Sequence, residues 1–424
     1  MHKIERLLQT LAPKGVEFRK LGDIGEFTRG NGLLKSDLQD KGRPVVHYGQ
    51  IHTQYNLSID KTISYVNEAL FHKLKKAKPN DILIVTTSEN VKDVGKSIAW
   101  LGNEEVAFSG EMYSYSTNEN PKFIIYYFQT YFFQKEKEKK ITGTKVMRIH
   151  ENDLKQITIP IPPLEIQQEI VKILDAFTEL NTELNTELNA RKKQYQYYQN
   201  MLLDFNDINQ NHKDAKEKLA QKPYPKRLKT LLQTLAPKGV EFRKLGEVCD
   251  FQKGKSITKK AVTFGKVPVI SGGRQPAYYH NEANRSGETI AISSSGVYAG
   301  YVSYWDIPVF LADSFSVSPK QKTLMPKYLF HYLTTQQDAI HATKSTGGIP
   351  HVYSKDLLNF LIPIPPLEIQ QEIVKILDQF SALTTDLLAG IPAEIKARKK
   401  QYEYYREKLL AFKPLTPLNN KEPA

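Results

Sequence analysis

The chain has 424 residues with 59 Lys+Arg against 46 Asp+Glu, a net charge of +13 that leaves room for two or three domains and points towards a polyanionic partner. Its apolar content of 40% and aromatic content of 10% exclude a disordered chain, and no apolar run approaches the roughly 18–20 residues of a membrane span. The one cysteine, Cys249, excludes an internal disulfide framework and a cysteine-based zinc site, and MHKIERLL has no apolar leader core, so a soluble cytoplasmic protein is expected.

In chain order, LLQTLAPKGVEFRKLG at 7–22 leads into a first body. Its β-rich runs, PVVHYGQI at 44–51 and DILIVTTS at 81–88, are punctuated by Gly and Asn, and 121–134, opened by Pro121-Lys122, has a helical pattern. Next, IPIPPLEIQQEIVKILD at 159–175 opens a long amphipathic helix near Pro163, proline being tolerated in a first turn. Its stripe of Ile166, Ile170, Ile173, Phe177, Leu180, Leu184 and Leu188, continuing to Tyr195, Tyr198 and Leu202, is a coiled-coil seam with one four-residue stutter. The stutter falls where TELN occurs three times in succession at 178–189. About 40 residues at about 1.5 Å each give a helix of about 60 Å. Residues 206–230 are polar and uneven and read as linker.

The series then returns. Residues 231–246 repeat 7–22 letter for letter, 362–378 repeat 159–175, and ARKKQYQYY at 190–198 comes back as ARKKQYEYY at 397–405. Between these frames lies a second body with TIAISSSGVYAGYVSYW at 289–305, VFLADSFSV at 309–317 and a helical stretch at 326–342. The second seam runs Ile369, Ile373, Ile376, Phe380, Leu383, Leu387, then Arg398, Tyr402, Tyr405 and Leu409, interrupted by Ala389-Gly390-Ile391-Pro392, where a kink or break is expected. Phe27, Gly30, Pro44, Gly49 and Tyr55 match Phe251, Gly254, Pro268, Gly273 and Tyr279, and DILIVTTS lies opposite ETIAISSS at 288–295.

A repeat this long is a duplicated domain pair rather than a solenoid. Identical frames around divergent bodies imply one docking surface present twice and two different recognition surfaces. The expected fold is α+β: two mixed α/β bodies separated by two long antiparallel coiled-coil helices, with a pseudo-two-fold internal repeat. The boundaries are 1–158 for the first body, 159–205 for its helix and 206–230 for the linker. Then follow 231–361 for the second body, 362–412 for its helix and 413–424 for a tail.

Catalytic machinery is missing from the pattern. Gly254-Lys255-Ser256 mimics a phosphate loop, but the first glycine would fall at Cys249. There is no G-x-G-x-x-G, G-x-S-x-G or H-E-x-x-H, and no histidines lie four apart. A DNA-acting enzyme with an unrecognised site and a coiled-coil scaffold joining two protein-binding bodies stand as alternatives to a DNA-reading adaptor.

The paired I-P-I-P-P-L-E-I-Q-Q-E-I segments, each opening a helix that ends A-R-K-K-Q-Y-x-Y-Y, resemble the specificity subunit of a type I restriction–modification enzyme. So do the G-V-E-F-R-K-L-G lead-ins. The resemblance implies a non-catalytic subunit whose two target-recognition domains each read one half of a bipartite site in double-stranded DNA. Two methyltransferase subunits dock on the helical frame and bring S-adenosylmethionine, and an ATP-driven restriction subunit is a further partner. The chain itself then needs no cofactor or metal, since ATP and Mg²⁺ also belong to the partners. Short tandem repeats in the central helix, similar to TELN, set the spacer in this family. Gly390 and Pro392, present in only the second helix, depart from a symmetric frame.

A DNA-reading body needs cations for phosphates and amide, guanidinium or hydroxyl groups for base edges. In the first body these are Arg29, Asn31 and Lys35 in a Gly-rich loop, Tyr48 and Gln50, then Thr86, Thr87 and Ser88, with Lys145 and Arg148. In the second they are Lys253, Lys255 and Ser256, then Arg274, the run Ser293, Ser294 and Ser295, and Lys344, Ser345 and His351. The duplicated frame supplies the partner-contact candidates Ile166, Gln167, Ile170, Tyr195 and Tyr198, and Ile369, Gln370, Ile373, Tyr402 and Tyr405. Tyrosine suits such half-buried surfaces.

Overall fold

The computed structural model describes residues 2–205, 222–320, 322–345, 348–385 and 390–415. The chain divides into two units, Met1–Leu184 with Ile395–Ala424, and Asn185–Glu394.

In the first unit the two repeated frames meet. Glu17–Lys20 pairs antiparallel with Thr158–Ile161, so the segment leading into the body and the one leaving it are neighbouring strands. The body has two sheets. One runs Gly25–Arg29, Met112–Thr117, Ile82–Val85, Ser97–Trp100, Ser58–Ile59; the other runs Ser64–Val66, Arg43–Val46, Val106–Phe108, Lys76–Ala77. Ile82–Val85 is apolar throughout because both its faces are covered, and the alternation of side chains along a strand sorts them. Ile82 and Ile84 pack with the helices Pro121–Phe128 and Leu164–Leu203, while Leu83 and Val85 pack with Val46, Val106 and Phe108 of the second sheet.

Pro121 opens its helix under the Asn120 cap, whose side chain accepts from the Lys122 and Phe123 amides. Ile166, Ile170 and Leu174 on the first turns of Leu164–Leu203 bury against this helix. Leu409 and Leu410, from the far end of the sequence, fill the same core, and Phe177 stacks on Tyr405 with ring centroids 5.4 Å apart.

The second unit, taken by itself, repeats the plan. Phe242–Lys244 pairs with Leu361–Pro363. Its sheets run Cys249–Lys253, Ser314–Pro319, Thr289–Ser293, Val302–Trp305 and Tyr278–His280, Val267–Ile270, Phe310–Leu311. Leu202, Leu203 and Phe205 share its core with Tyr328, Leu329, Ile369 and Ile373, and Tyr198 stacks on Phe380 at 4.9 Å. Each strand order of this unit is contained in the corresponding order of the first, which adds Ser58–Ile59, Lys76–Ala77 and the helices Tyr48–Thr53 and Glu68–Lys73.

Three sequence expectations change. The β-runs correspond one residue out of step with the match of 81–88 to 288–295. Tyr115 pairs with Ile82, and its counterpart Val317 pairs with Ile290, so Ile82 corresponds to Ile290 and Thr86 to Ser294. A slip of one would turn Ile82 and Ile84 out of the helical core, and burial overrides letter similarity. Gly49 and Tyr55 follow their matches only in number, since Gly49 sits in the helix Tyr48–Thr53 and Tyr279 in the strand Tyr278–His280. Within the expected linker, 206–221 lies outside the described residues, and Lys226–Leu235 is an amphipathic helix that buries Leu228 and Leu232. It is the counterpart of His2–Leu11, and an ion pair ties each to its own long helix, Lys3–Glu169 at 2.5 Å and Arg227–Glu372 at 3.0 Å.

The helix Leu164–Leu203 continues unbroken through all three TELN units. The second long segment is two helices, Leu367–Thr385 and Ile391–Leu409, with Gly390 in a bend ahead of Pro392. Residues 386–389, including the expected seam position Leu387, lie outside the described residues.

Candidate nucleic-acid interface

In the first body three segments meet around the short connection Ser109-Gly110-Glu111, and a fourth joins them through Thr87–Ser88. The Gly30 amide donates to the Met112 carbonyl at 3.0 Å, and Arg29 Nε reaches the Gly110 carbonyl at 3.5 Å. The Tyr48 amide donates to Ser109 Oγ at 3.0 Å, and the Thr86 amide donates to the Glu111 carbonyl at 2.9 Å. Met147–Arg148 forms a two-stranded ribbon with Thr87–Ser88, placing Arg148 opposite Thr87, with Lys145 in the loop before it. Gly30 is required by this close approach, because a Cβ there would meet the Ser109 carbonyl oxygen at 2.2 Å. Arg29, Lys35, Lys145 and Arg148 are exposed, so the edge is cationic. Burial, followed by the nearby Lys35 charge, holds His47 below its ordinary value, so its Nδ1 is free to accept from the Gly49 amide at 3.2 Å.

The second body builds the same edge around Ala312-Asp313. The Gly254 amide donates to the Ser314 carbonyl at 2.8 Å, the Lys255 amide to the Leu311 carbonyl at 2.9 Å and the Ser294 amide to the Asp313 carbonyl at 3.0 Å. Ser295 Oγ donates to the Asp313 carboxylate, and Ser295 and His351 form an isolated antiparallel bridge. The His351 amide donates to Ser345 Oγ at 3.2 Å. Arg274 lies over the faces of Tyr298 and Tyr301, at 4.9 Å and 5.6 Å.

The structure therefore gathers most of the sequence candidates but gives several of them other work. Both ends of the Asn31 amide are occupied, Nδ2 on the Lys73 carbonyl at 2.9 Å and Oδ1 under the Lys75 amide at 2.7 Å. Gln50 is buried, accepting from the His47 amide at 3.0 Å and donating to Ser64 Oγ at 2.7 Å. Thr86, Thr87 and Ser293 are buried, and Ser293 Oγ donates to the Ser271 carbonyl at 3.1 Å. These side chains shape the edge; Arg29, Lys35, Lys145, Arg148, Lys253, Lys255, Ser256, Arg274 and Ser345 are exposed, as is Asn31 although its amide is engaged.

The partner-contact candidates divide in the same way. Ile166, Gln167, Ile170, Ile369, Gln370 and Ile373 are all 0% exposed. The Pro-Pro turn lays each helix directly on its own body, and there the glutamines are joints: Gln167 Nε2 donates to Glu119 Oε2 at 2.6 Å and to the Pro162 carbonyl at 2.7 Å. Tyr195, Tyr198, Tyr402 and Tyr405 are half-buried against their own units. Tyr195 Oη meets His331 Nδ1 at 3.2 Å, and His331 Nε2 meets Asp378 at 3.1 Å. The middle tyrosine of each repeated segment points outward instead, Tyr197 and Tyr404 each being 58% exposed.

Sequence reasoning missed three features. Val146 and Ile349 are exposed aliphatic residues at matching positions before Arg148 and His351; an apolar residue in a loop carries no periodic signal. The acids Glu111 and Asp313 were passed over in a search for cations. Lys137, a lone lysine in a charged stretch that gives no sequence signal, is buried and donates to the Val94 carbonyl at 2.6 Å and the Lys92 carbonyl at 3.3 Å, fixing the loop that follows Ser88. Burial pushes its ammonium down to about 8. Among the described residues no group of three or more His, Cys, Asp or Glu is placed to hold a metal, and no helix is long and apolar enough to cross a membrane.

Two bodies of one strand order, each with its own basic edge, define a protein with two DNA-recognition domains. The type I restriction modification DNA specificity domain matches the chain twice, over residues 13–194 and 237–397. The chain belongs to that family: it is a type I specificity subunit, the DNA-recognition rather than the catalytic component. It is 29% identical to the EcoR124I/EcoR124II specificity subunit of Escherichia coli over 450 residues, covering 99% of both chains. To a putative type I restriction enzyme specificity subunit of Haemophilus influenzae it is 34% identical over 286 residues, 64% of this chain and 68% of that one. Two solved structures share the fold at 18% identity. They are the type I S subunit from M. genitalium, with a TM-score of 0.58 covering 93% of this chain and 96% of that one, and a chain from a type I R-M complex-assembly study, with a TM-score of 0.52 covering 93% and 97%.

Proposed function

We propose that residues 1–158 and 231–361 each read one half of a bipartite site in double-stranded DNA, while residues 159–205 and 362–412 set the spacer and hold two methyltransferase subunits. The observation that carries this reading is the contrast between joints and edges. The joints that tie each body to its helix recur: Gln167 and Gln370, the ion pairs Lys122–Asp175 at 2.6 Å and Lys327–Asp378 at 2.7 Å, and the paired lead-in strands. The edges differ, with Arg29, Tyr48 and Arg148 in one body and Lys253, Arg274 and His351 in the other. Equal joints suit two copies of one partner; unequal edges suit two different half-sites.

The stacks of Phe177 on Tyr405 and of Tyr198 on Phe380, one in each unit, favour an antiparallel coiled-coil pairing, since residue numbers rise along one segment as they fall along the other. Tyr197 and Tyr404, with the basic residues around them, are the outward surface that a methyltransferase subunit would meet at each copy. S-adenosylmethionine, ATP and Mg²⁺ belong to the methyltransferase and restriction subunits in this reading, and the complex works in the cytoplasm.

Methylation mapping tests it. Deleting the gene abolishes methylation at one bipartite motif. Removing one TELN unit shortens the helix by about 6 Å and turns its far end by about 40°, against about 3.4 Å per base pair, so the spacer shortens by one or two base pairs with both half-sites intact. Altered half-sites with a fixed spacer would refute the ruler, and no motif lost on deletion would refute the function.

A further inference from the structure

At the centre of both cationic edges stands an acid. Glu111 and Asp313 occupy the same place in the two bodies: each directly precedes the strand that stands second in its sheet, Met112–Thr117 or Ser314–Pro319. Each offers its main-chain carbonyl to the corresponding amide, of Thr86 or of Ser294. The side chains arrive there by different routes, a longer acid after Ser109-Gly110 in one body and a shorter acid directly after Ala312 in the other. Fold alone does not ask for a carboxylate at this position. In the first body Glu111 is half-buried: its Oε2 is enclosed without a hydrogen-bond partner, so a base would meet this carboxylate through its other oxygen. In the second, the exposed Asp313 carboxylate takes one hydrogen bond, from Ser295 Oγ, and keeps the rest of its acceptor capacity.

A carboxylate repels phosphate, and the surrounding Arg29, Lys35 and Arg148, or Lys253, Lys255 and Arg274, supply what phosphates require. An ionised acid only accepts hydrogen bonds. Of the groups that line the major groove, those that donate are the exocyclic amino groups of cytosine and adenine, whereas guanine N7 and O6 and thymine O4 only accept.

We infer that Glu111 and Asp313 are specificity-determining residues, each selecting in its own half-site a base that presents an exocyclic amino group, cytosine N4 or adenine N6, and rejecting guanine and thymine at that position. The assignment rests on the DNA-reading function proposed above, and it makes the acid, rather than any of the flanking cations, the residue that distinguishes bases there.

The test uses the complete complex expressed in a host that lacks other type I systems, with genome-wide methylation mapping of the wild type, Glu111→Gln and Asp313→Asn. The amides keep size and shape but add a donor. Glu111→Gln should admit guanine or thymine at one position of one half-site, changing preference there by roughly 10- to 100-fold; Asp313→Asn should do so in the other half-site only. Glu111→Ala and Asp313→Ala, which remove the acceptor, should relax the same positions rather than switch them. A wild-type bipartite motif that all four variants reproduce letter for letter overturns the assignment, as does an even loss of methylation with no position changed. A wild type that leaves no bipartite motif removes the DNA-reading function itself, and that outcome is read from the unmutated complex alone.

Discussion

Gln167→Met preserves side-chain volume but removes the hydrogen bonds that seat the first long helix on its body. Three bonds go: the Asn120 amide to Oε1 at 3.0 Å, Nε2 to Glu119 Oε2 at 2.6 Å and Nε2 to the Pro162 carbonyl at 2.7 Å. Two are neutral bonds of about 1 kcal/mol each, and the bond to the Glu119 carboxylate is charge-assisted and contributes about 1.5–3 kcal/mol. Glu119 can regain water on its half-exposed side, so the net loss is about 3–4 kcal/mol. For a unit of 150–250 residues this lowers the melting temperature by roughly 6–15 °C. Gln370→Met breaks bonds to main-chain groups alone, from the Met325 amide at 2.9 Å and to the carbonyls of Thr323 at 2.8 Å and Pro365 at 2.7 Å, and should cost less, about 2–3 kcal/mol. Calorimetric melting of the purified chain measures both. Unchanged melting together with loss of methyltransferase co-purification would refute the joint and return these glutamines to the partner surface.

Two more tests address the first body. The Lys137 ammonium is held at about 8 in the fold, chiefly by burial, against 10.5 in an open chain. Between those values the unfolded state binds more protons, so stability rises with pH from about 8 to 10.5 and is flat below. Lys137→Met should abolish that rise in melting temperature, and a variant that keeps the wild-type profile would sink the argument. Gly30→Ala drives a Cβ into the Ser109 carbonyl oxygen at 2.2 Å, and the backbone shift should cost about 1–3 kcal/mol and weaken sequence-specific DNA retention by the complex; retention and melting both at wild-type values would show that the close approach is dispensable.

The duplication, the mixed bodies and the long helices were legible because they rest on identity and periodicity, both of which a single sequence carries in full. The break at Gly390 was legible for a different reason, Gly and Pro being local signals. What was not legible is direction. A stripe of Ile166, Ile170 and Gln167 announces a surface to be covered but not by what, and here the covering is the chain's own body. Asn31 and Gln50 have the chemistry of adenine readers, yet the loop of Lys73 and Lys75 and the hydroxyl of Ser64 take up their amides through contacts made 14 to 44 positions away. The one-residue slip between 81–88 and 288–295 arose because letter similarity favoured Thr over Ser, whereas the two-faced burial of Ile82–Val85 decides register.

One feature of the first unit bears on how the molecule is made. The Val16 amide donates to the Lys413 carbonyl at 2.9 Å, the Leu415 amide returns a bond of 2.9 Å to the Val16 carbonyl, and Leu409 and Leu410 are interior residues of that unit. The other unit, Asn185–Glu394, is continuous in sequence. A ribosome therefore releases every residue of the later unit before it supplies the pieces that seal the earlier one. Synthesis order and completion order are reversed, and the amino-terminal half waits, with its hydrophobic seat open, for its own closing helix to emerge.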